Sequence, residues 1–155
     1  MRPQHSAAPE IRREASPPGA ASSDLGGPFE VTLDAALGAP AAARRAVASW
    51  MDGHVGETLR ADVQAVVVEL VTNSVRHADA PDDAVVSVRA EVRADVLRVE
   101  VEDRGTGGSI ARRAPDLRDG GGFGLHLVDL LSRRWGVDRD AGTCVWAELA
   151  FPAAG

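Results

Sequence analysis

The feature that most constrains this chain is an abrupt change of hydrophobic period near its middle. From about Thr58 to Ala78 the apolar residues recur as on one side of an α-helix. Val63, Val67, Val68, Leu70, Val71, Ser74, Val75 and Ala78 share one broad face, and Glu69, Thr72, Asn73, Arg76 and His77 lie opposite. Pro81 bars continuation. The period then drops to two, with Val86 and Val88 in a segment from Ala84 to Arg93, then Leu97, Val99 and Val101 in a segment from Val96 to Glu102. The short Arg93–Ala94–Asp95 link predicts an antiparallel hairpin. A one-sided helix beside a one-sided hairpin can bury both apolar faces only by stacking in layers.

The flanking segments extend the pattern. Residues 1–27 are rich in Pro, Ala, Ser, Gly and Arg without either period, which predicts a disordered N-terminal tail. Residues 28–152 read as one domain. Phe29, Val31 and Leu33 alternate as a strand, and a helix is expected from Pro40 to His54, burying Ala43, Val47, Trp50 and Met51. From Arg104 to Gly122 the chain carries six glycines and four arginines and little apolar content, a composition expected of a mobile functional loop. A helix from Phe123 to Arg134, a strand from Trp135 to Val137, a turn at Asp140–Ala141–Gly142 and a strand from Thr143 to Phe151 complete the chain. The expected fold is α+β, a two-layer α/β sandwich with helices on one face of a mixed sheet.

Composition narrows the function. The net charge is −6 and the pI about 5.2, which argues against direct nucleic-acid binding, since phosphate neutralisation needs a basic surface. All 17 basic residues are arginine. A P-loop needs a lysine on the phosphates, and a eukaryotic-type kinase needs its strand lysine, so neither can be built from this chain. Cys144 is the one cysteine, which excludes an intrachain disulfide and suits a reducing, cytoplasmic setting. With no apolar run of membrane-spanning length, no membrane contact is expected.

Three short segments can carry chemistry. Glu69, Asn73 and His77 recur at i, i+4 and i+8, so a carboxylate stands one turn from an amide oxygen, a base beside a hard ligand for Mg²⁺ on a phosphate. Any amphipathic helix also has a solvated polar stripe, and these residues could be no more than that. Asp103 ends a strand and meets glycines; a carboxylate there accepts hydrogen bonds and suits a donating base edge such as the adenine amino group, or it begins an ordinary Asp-Gly turn. Gly120-Gly121-Gly122-Phe123-Gly124-Leu125 opens a helix, where bare amides make a phosphate site or a flexible hinge. Arg112, Arg113 and Arg118 either pair with phosphate oxygens or are solvated loop charges. His54 and His126 are read as surface or core residues, no Cys/His cluster suggests zinc, and Trp50, Trp135 and Trp146 are expected in the core.

In order and spacing these segments resemble the GHKL (Bergerat-fold) ATPases. Glu69-Leu70-Val71-Thr72-Asn73-Ser74-Val75-Arg76-His77-Ala78 resembles the N box, Asp103-Arg104-Gly105-Thr106-Gly107 the G1 box, Gly120 to Leu125 the G2 box, and Gly142-Thr143 the last nucleotide-site element. Within that class, Leu131-Ser132-Arg133-Arg134-Trp135-Gly136-Val137 with Thr143-Cys144-Val145-Trp146-Ala147-Glu148 resembles bacterial anti-sigma-factor serine kinases. The resemblance implies ATP and Mg²⁺ as cofactors. It implies Glu69 as the base for an attacking serine hydroxyl, Asn73 as the metal ligand, Asp103 as the adenine reader assisted by Thr143 through water, and Gly107 as the residue that admits the base. Glycines 120, 122 and 124 would wrap the phosphates, and His77, Gly105 and Leu125 would belong to the same nucleotide site. It implies a serine-bearing anti-anti-sigma (STAS-type) protein as substrate, a sigma factor as second partner, and a possible homodimer. The stretch after Asp103 lacks the proline often found shortly after the G1 glycines in that family. The competing function is a non-catalytic ATP-binding module that sequesters a regulatory partner; a base at Glu69 favours the kinase, because a nucleotide clamp needs none there.

Overall fold

The computed structural model describes residues 25–77, 84–104, 122–138 and 142–152. Most of the expected tail, residues 1–24, and nearly all of the expected glycine- and arginine-rich loop, residues 105–121, lie outside the described residues. The elements run β1 (Phe29–Asp34), α1 (Ala39–Met51), α2 (Glu57–His77), β2 (Val85–Arg93), β3 (Val96–Arg104), α3 (Gly122–Leu131), β4 (Arg134–Asp138) and β5 (Thr143–Ala150). They form an α+β fold with a five-stranded sheet in the order β1-β2-β3-β5-β4.

The expected sheet was mixed, and here the structure differs: every neighbouring pair is antiparallel. The connection through α3 brings β4 back parallel to β3, as a crossover should, but one strand too far out. β5 turns back from β4 and fills the gap, antiparallel to both.

One face of the sheet is apolar. Val31 pairs with Val88, Val88 with Val101 and Val101 with Val145, and Leu97 pairs with Leu149 along the same side. These residues join Ala43, Val47 and Met51 of α1, Val63, Val66, Val67, Leu70 and Val71 of α2, and Leu125 and Val128 of α3 in one core. Leu25 also joins it, ahead of β1, and the Trp50 indole N–H donates to the Gly27 carbonyl at 3.1 Å. α1 stops at Met51, three residues before the expected end, where Gly53 takes φ +76, a conformation that favours glycine. α3 stops at Leu131, not Arg134. The Ser132 hydroxyl bonds back to the Val128 carbonyl and the Arg133 amide leaves to the Glu148 carbonyl, which starts β4. A ten-residue helix buries one side only, so Leu130 is left exposed while Leu125 and Val128 are buried.

The opposite face of the sheet carries charge in cross-strand rows. Glu91, Arg98, Glu148 and Arg134 lie side by side on β2, β3, β5 and β4, alternating in sign across four strands. Arg98 bonds Glu100 at 2.8 Å and Glu148 at 2.9 Å, and Arg134 grips Glu148 through two nitrogens at 3.0 and 2.7 Å. Opposite charges paired across strands stabilise a sheet by about 0.2–1 kcal/mol each. Trp146, expected in the core, is buried at 4% exposure on this charged face instead, with the Arg98 guanidinium 4.3 Å from its ring centroid. It lies across Gly136: a Cβ there would stand 2.8 Å from the indole Cζ2. Gly136→Ala is therefore expected to destabilise the fold by about 1–3 kcal/mol through overpacking, measured as a lowered midpoint in urea with an unchanged slope. Cys144 lies on the same face, half-buried, and burial with the nearby carboxylates of Glu100, Glu102 and Asp138 pushes its thiol up to about 12, so it stays protonated at neutral pH.

Candidate nucleotide site

α2 supplies two sets of residues. Its buried arc is Val63, Val66, Val67, Leu70, Val71 and Ser74. At 100° per residue this arc is rotated by roughly 45° from the expected one. Val66, fully buried, belongs to it, and Val68 and Val75, expected on it, are half-buried. The rotation brings Glu69 and Asn73 from the far side of the helix to the margin of the buried arc, next to Val66, where both are half-buried. A carboxylate and an amide oxygen one turn apart at such a margin are fixed by the helix, yet open on one side. His77 is the last residue of α2, and its side chain lies outside the described residues.

β3 delivers Asp103 to the same region. Leu97, Val99 and Val101 face the helices, so Asp103, two residues further on, faces them too. Its carboxylate accepts a hydrogen bond from the Ser74 hydroxyl. Burial pushes Asp103 up to about 6, and the Ser74 bond pulls in the opposite direction without cancelling it. Beside it on β5 stands Thr143, its register partner. Thr143 is only 6% exposed, and its Oγ1 has no hydrogen-bond partner among the described residues. A buried hydroxyl without a partner costs about 1–3 kcal/mol, so it marks a place where a ligand or a water belongs. Gly142, immediately before, has φ +105, and a Cβ there would come within 3.1 Å of the Asp103 backbone oxygen. The strand can thus approach Asp103 closely only with glycine at this position.

Gly122 and Gly124 fall in the first turn of α3, and Leu125 behind them is buried in the core. Gly105, Gly107 and Gly120 lie outside the described residues, as do Arg112, Arg113 and Arg118. The structure therefore brings Asp103 and Thr143 side by side on the helix-facing side of the sheet, and places Glu69 and Asn73 half-buried on α2 and Leu125 buried on α3. It adds Ser74, which the sequence pattern places on the apolar face without a chemical role. The signal was a hydroxyl at a position surrounded by Val67, Leu70 and Val71.

These residues fit a purine nucleotide. Asp103 and the orphaned Thr143 hydroxyl, side by side on β3 and β5, offer acceptor and donor capacity, and the start of α3 offers backbone amides for phosphates. Among the described residues no three His, Cys, Asp or Glu side chains cluster to hold a metal.

The burial of Asp103 sets a pH dependence of stability. In the unfolded chain Asp103 titrates near 3.8, and in the folded protein near 6. Between these values the folded state holds a proton that the unfolded state has lost. The associated stability is present below about pH 4 and is lost as pH rises through 6. Asp103→Asn cannot titrate, so the difference in unfolding free energy between wild type and this variant should change by at most about 3 kcal/mol from pH 4 to 7, against wild type as pH rises. Urea titrations of both proteins across that range give the comparison.

The model of the histidine kinase-like ATPase domain family matches residues 33–149, a span that includes every described residue of the site. No curated protein matches the chain.

Proposed function

We propose that this chain, which belongs to the histidine kinase-like ATPase domain family, is a serine kinase that phosphorylates a regulatory protein with Mg-ATP. ATP is the ligand that the family implies. The observation that carries the finer reading is the division of labour along α2. Ser74 holds Asp103 at the base-recognition end, while Asn73 and Glu69 precede it by one and five residues, so Glu69 stands about 7.5 Å back along the helix axis. α2 thereby sets the Glu69 base apart from the end that meets Asp103, with the metal ligand Asn73 beside that end. Asn73 would hold Mg²⁺, Asp103 and Thr143 the adenine, and the amides at Gly122 and Gly124 the phosphates. The bound nucleotide supplies the phosphoryl group, and the metal supplies charge neutralisation. Glu69 would take the proton of the incoming serine hydroxyl.

The segments Leu131 to Val137 and Thr143 to Glu148 support an anti-anti-sigma (STAS-type) protein as the serine-bearing substrate and a sigma factor as the second partner, with a homodimer as the working form. No helix of the described residues is long and apolar enough to cross a membrane. Incubation with γ-labelled ATP and each candidate STAS-type protein tests the assignment: label on a serine of one partner is expected. ATP binding without transfer to any partner would replace the kinase by a sequestering module. A separate measurement checks the metal ligand. Asn73→Ala is expected to abolish the tightening of ATP binding by Mg²⁺ while leaving metal-free binding unchanged. If wild-type affinity is the same in EDTA as in magnesium, Asn73 has no such role.

A further inference from the structure

We propose that the face of the sheet opposite the helices docks a second copy of this chain, about a two-fold axis that runs along the strands between β3 and β5. The inference rests on the homodimer reading above, to which it gives a surface, and needs nothing of the nucleotide assignment.

Among the described residues, α1, α2 and α3 all pack on the other side of the sheet, and no element lies over this one. An open antiparallel face is ordinarily solvated, with its polar side chains standing in water. Here the side chains lie packed on one another instead. Ser87 is 1% exposed and Glu148 7%. Trp146 is buried beneath the Arg98 guanidinium, which Glu100 and Glu148 hold in turn. Side chains already fixed lose little further freedom on association. The Ser87 hydroxyl, although buried, has no hydrogen-bond partner among the described residues. A buried hydroxyl in that state is unfavourable until something outside supplies the partner.

The charges identify what covers the face. Across β2, β3, β5 and β4 the row Glu91, Arg98, Glu148, Arg134 runs acid, base, acid, base, so its signs reverse about the midpoint between β3 and β5. A two-fold axis at that midpoint, parallel to the strands, exchanges β3 with β5 and β2 with β4 and keeps each row at its own level. Arg98 then lies over Glu148 of the second copy and Glu91 over Arg134, and each pairing occurs twice. The row Ser87, Glu102, Cys144, Asp138 obeys the same axis and sets the Ser87 hydroxyl over an Asp138 carboxylate, which accepts more than one hydrogen bond. The row between them, Arg89, Glu100, Trp146 and Gly136, brings no like charges together. An axis across the strands through that middle row would instead lay Arg89 on Arg89 and Glu100 on Glu100. A partner with a surface of one sign would meet like charge on every second strand, whereas an isologous contact needs a surface that complements itself. Two sheets packed in the aligned way keep their strand directions within about 30°, which leaves the paired rows facing.

Sedimentation equilibrium of the full chain, over about 1 to 100 μM and with and without Mg-ATP, tests this on wild type, Glu91→Arg and Arg134→Glu, with thermal midpoints reporting the fold of each. Wild type is expected to dimerise in this range. Each single reversal sets like charges over one another twice and is expected to weaken the dimer by at least about tenfold. Mixed in equal amounts, the two variants should dimerise with each other about as tightly as wild type. The new arginine of one chain then lies over the new glutamate of the other, and the unchanged Arg134 over the unchanged Glu91. Recovery on mixing cannot come from the fold of either variant. If each variant dimerises like wild type, or if the folded variants stay monomeric when mixed, this face is overturned and the homodimer reading stands. If wild type is monomeric at every concentration, the homodimer reading falls and this face with it. Should a variant fail to fold, wild type decides through salt. Raising it from about 50 to 500 mM screens the alternating charges and should weaken the dimer several-fold, and a dimer that salt leaves unchanged or tightens contradicts the proposal.

Discussion

ATP is expected to bind this protein roughly 10- to 150-fold more tightly than GTP, and Asp103→Asn to remove most of that preference. The expectation follows from what a buried carboxylate can do. Asp103 lies on the helix-facing side of β3, its carboxylate bonded by Ser74 and its register neighbour Thr143 carrying an unused hydroxyl. Adenine offers the carboxylate an N–H donor, and a hydrogen bond to a charged group is worth about 1.5–3 kcal/mol. Guanine faces it with an oxygen, so two acceptors meet and the carboxylate is left without the partner that offsets its desolvation. Asparagine presents both a carbonyl and an amide N–H from nearly the same shape, so it can serve either base. Calorimetry with both nucleotides on wild type and Asp103→Asn measures the effect. Equal affinities of the wild-type protein for ATP and GTP would sink the assignment of Asp103, whatever the variant does.

The elements of the fold were legible because each signal is local. The alternation in β2 and β3 and the helical period of α2 are set by which face is buried, and the bounds of α2, β2 and β3 came within two residues of the observed ones. The sheet's internal direction was not legible, because whether β5 lies beside β4 alone or also slips between β4 and β3 is a matter of long-range pairing that no local period records. Trp146 illustrates a second limit. Its alternation with Val145 and Ala147 places it on the face opposite them, but that this face is also covered depends on Arg98, 48 positions away in the chain, folding over the indole. Of the candidate site the structure joins one pair that the sequence named, Asp103 and Thr143, register partners 40 positions apart. What the sequence could not indicate was the rotation of α2, which follows from packing of Val66, nor the bond between Ser74 and Asp103, which joins residues 29 apart.

Replacing Glu69 by alanine is expected to cut phosphotransfer to the partner by at least about tenfold, and by as much as about 10⁴-fold if proton removal dominates. A serine hydroxyl is a poor nucleophile at neutral pH, and a base within hydrogen-bond reach takes its proton as the new bond forms. Phosphoryl transfer passes through a loose transition state, where positioning and charge neutralisation carry much of the rate, so the lower figure is the firm one. The position of Glu69 limits the side effects. It is half-buried at the margin of α2, outside the arc of Val63, Val66, Val67, Leu70 and Val71, and alanine is the best helix former, so the fold should tolerate the change. It stands five residues before Ser74, away from the adenine end, so ATP affinity should change little, or rise slightly once a negative charge near the phosphates is gone. Transfer rate and ATP dissociation constant, measured together on wild type, Glu69→Ala and Glu69→Gln, separate the roles. A base is lost in both variants, so both should be slow with near-normal affinity. If Glu69→Gln transfers at the wild-type rate while Glu69→Ala does not, Glu69 positions the metal or the substrate and removes no proton. If both transfer normally, the chemistry lies elsewhere in the site.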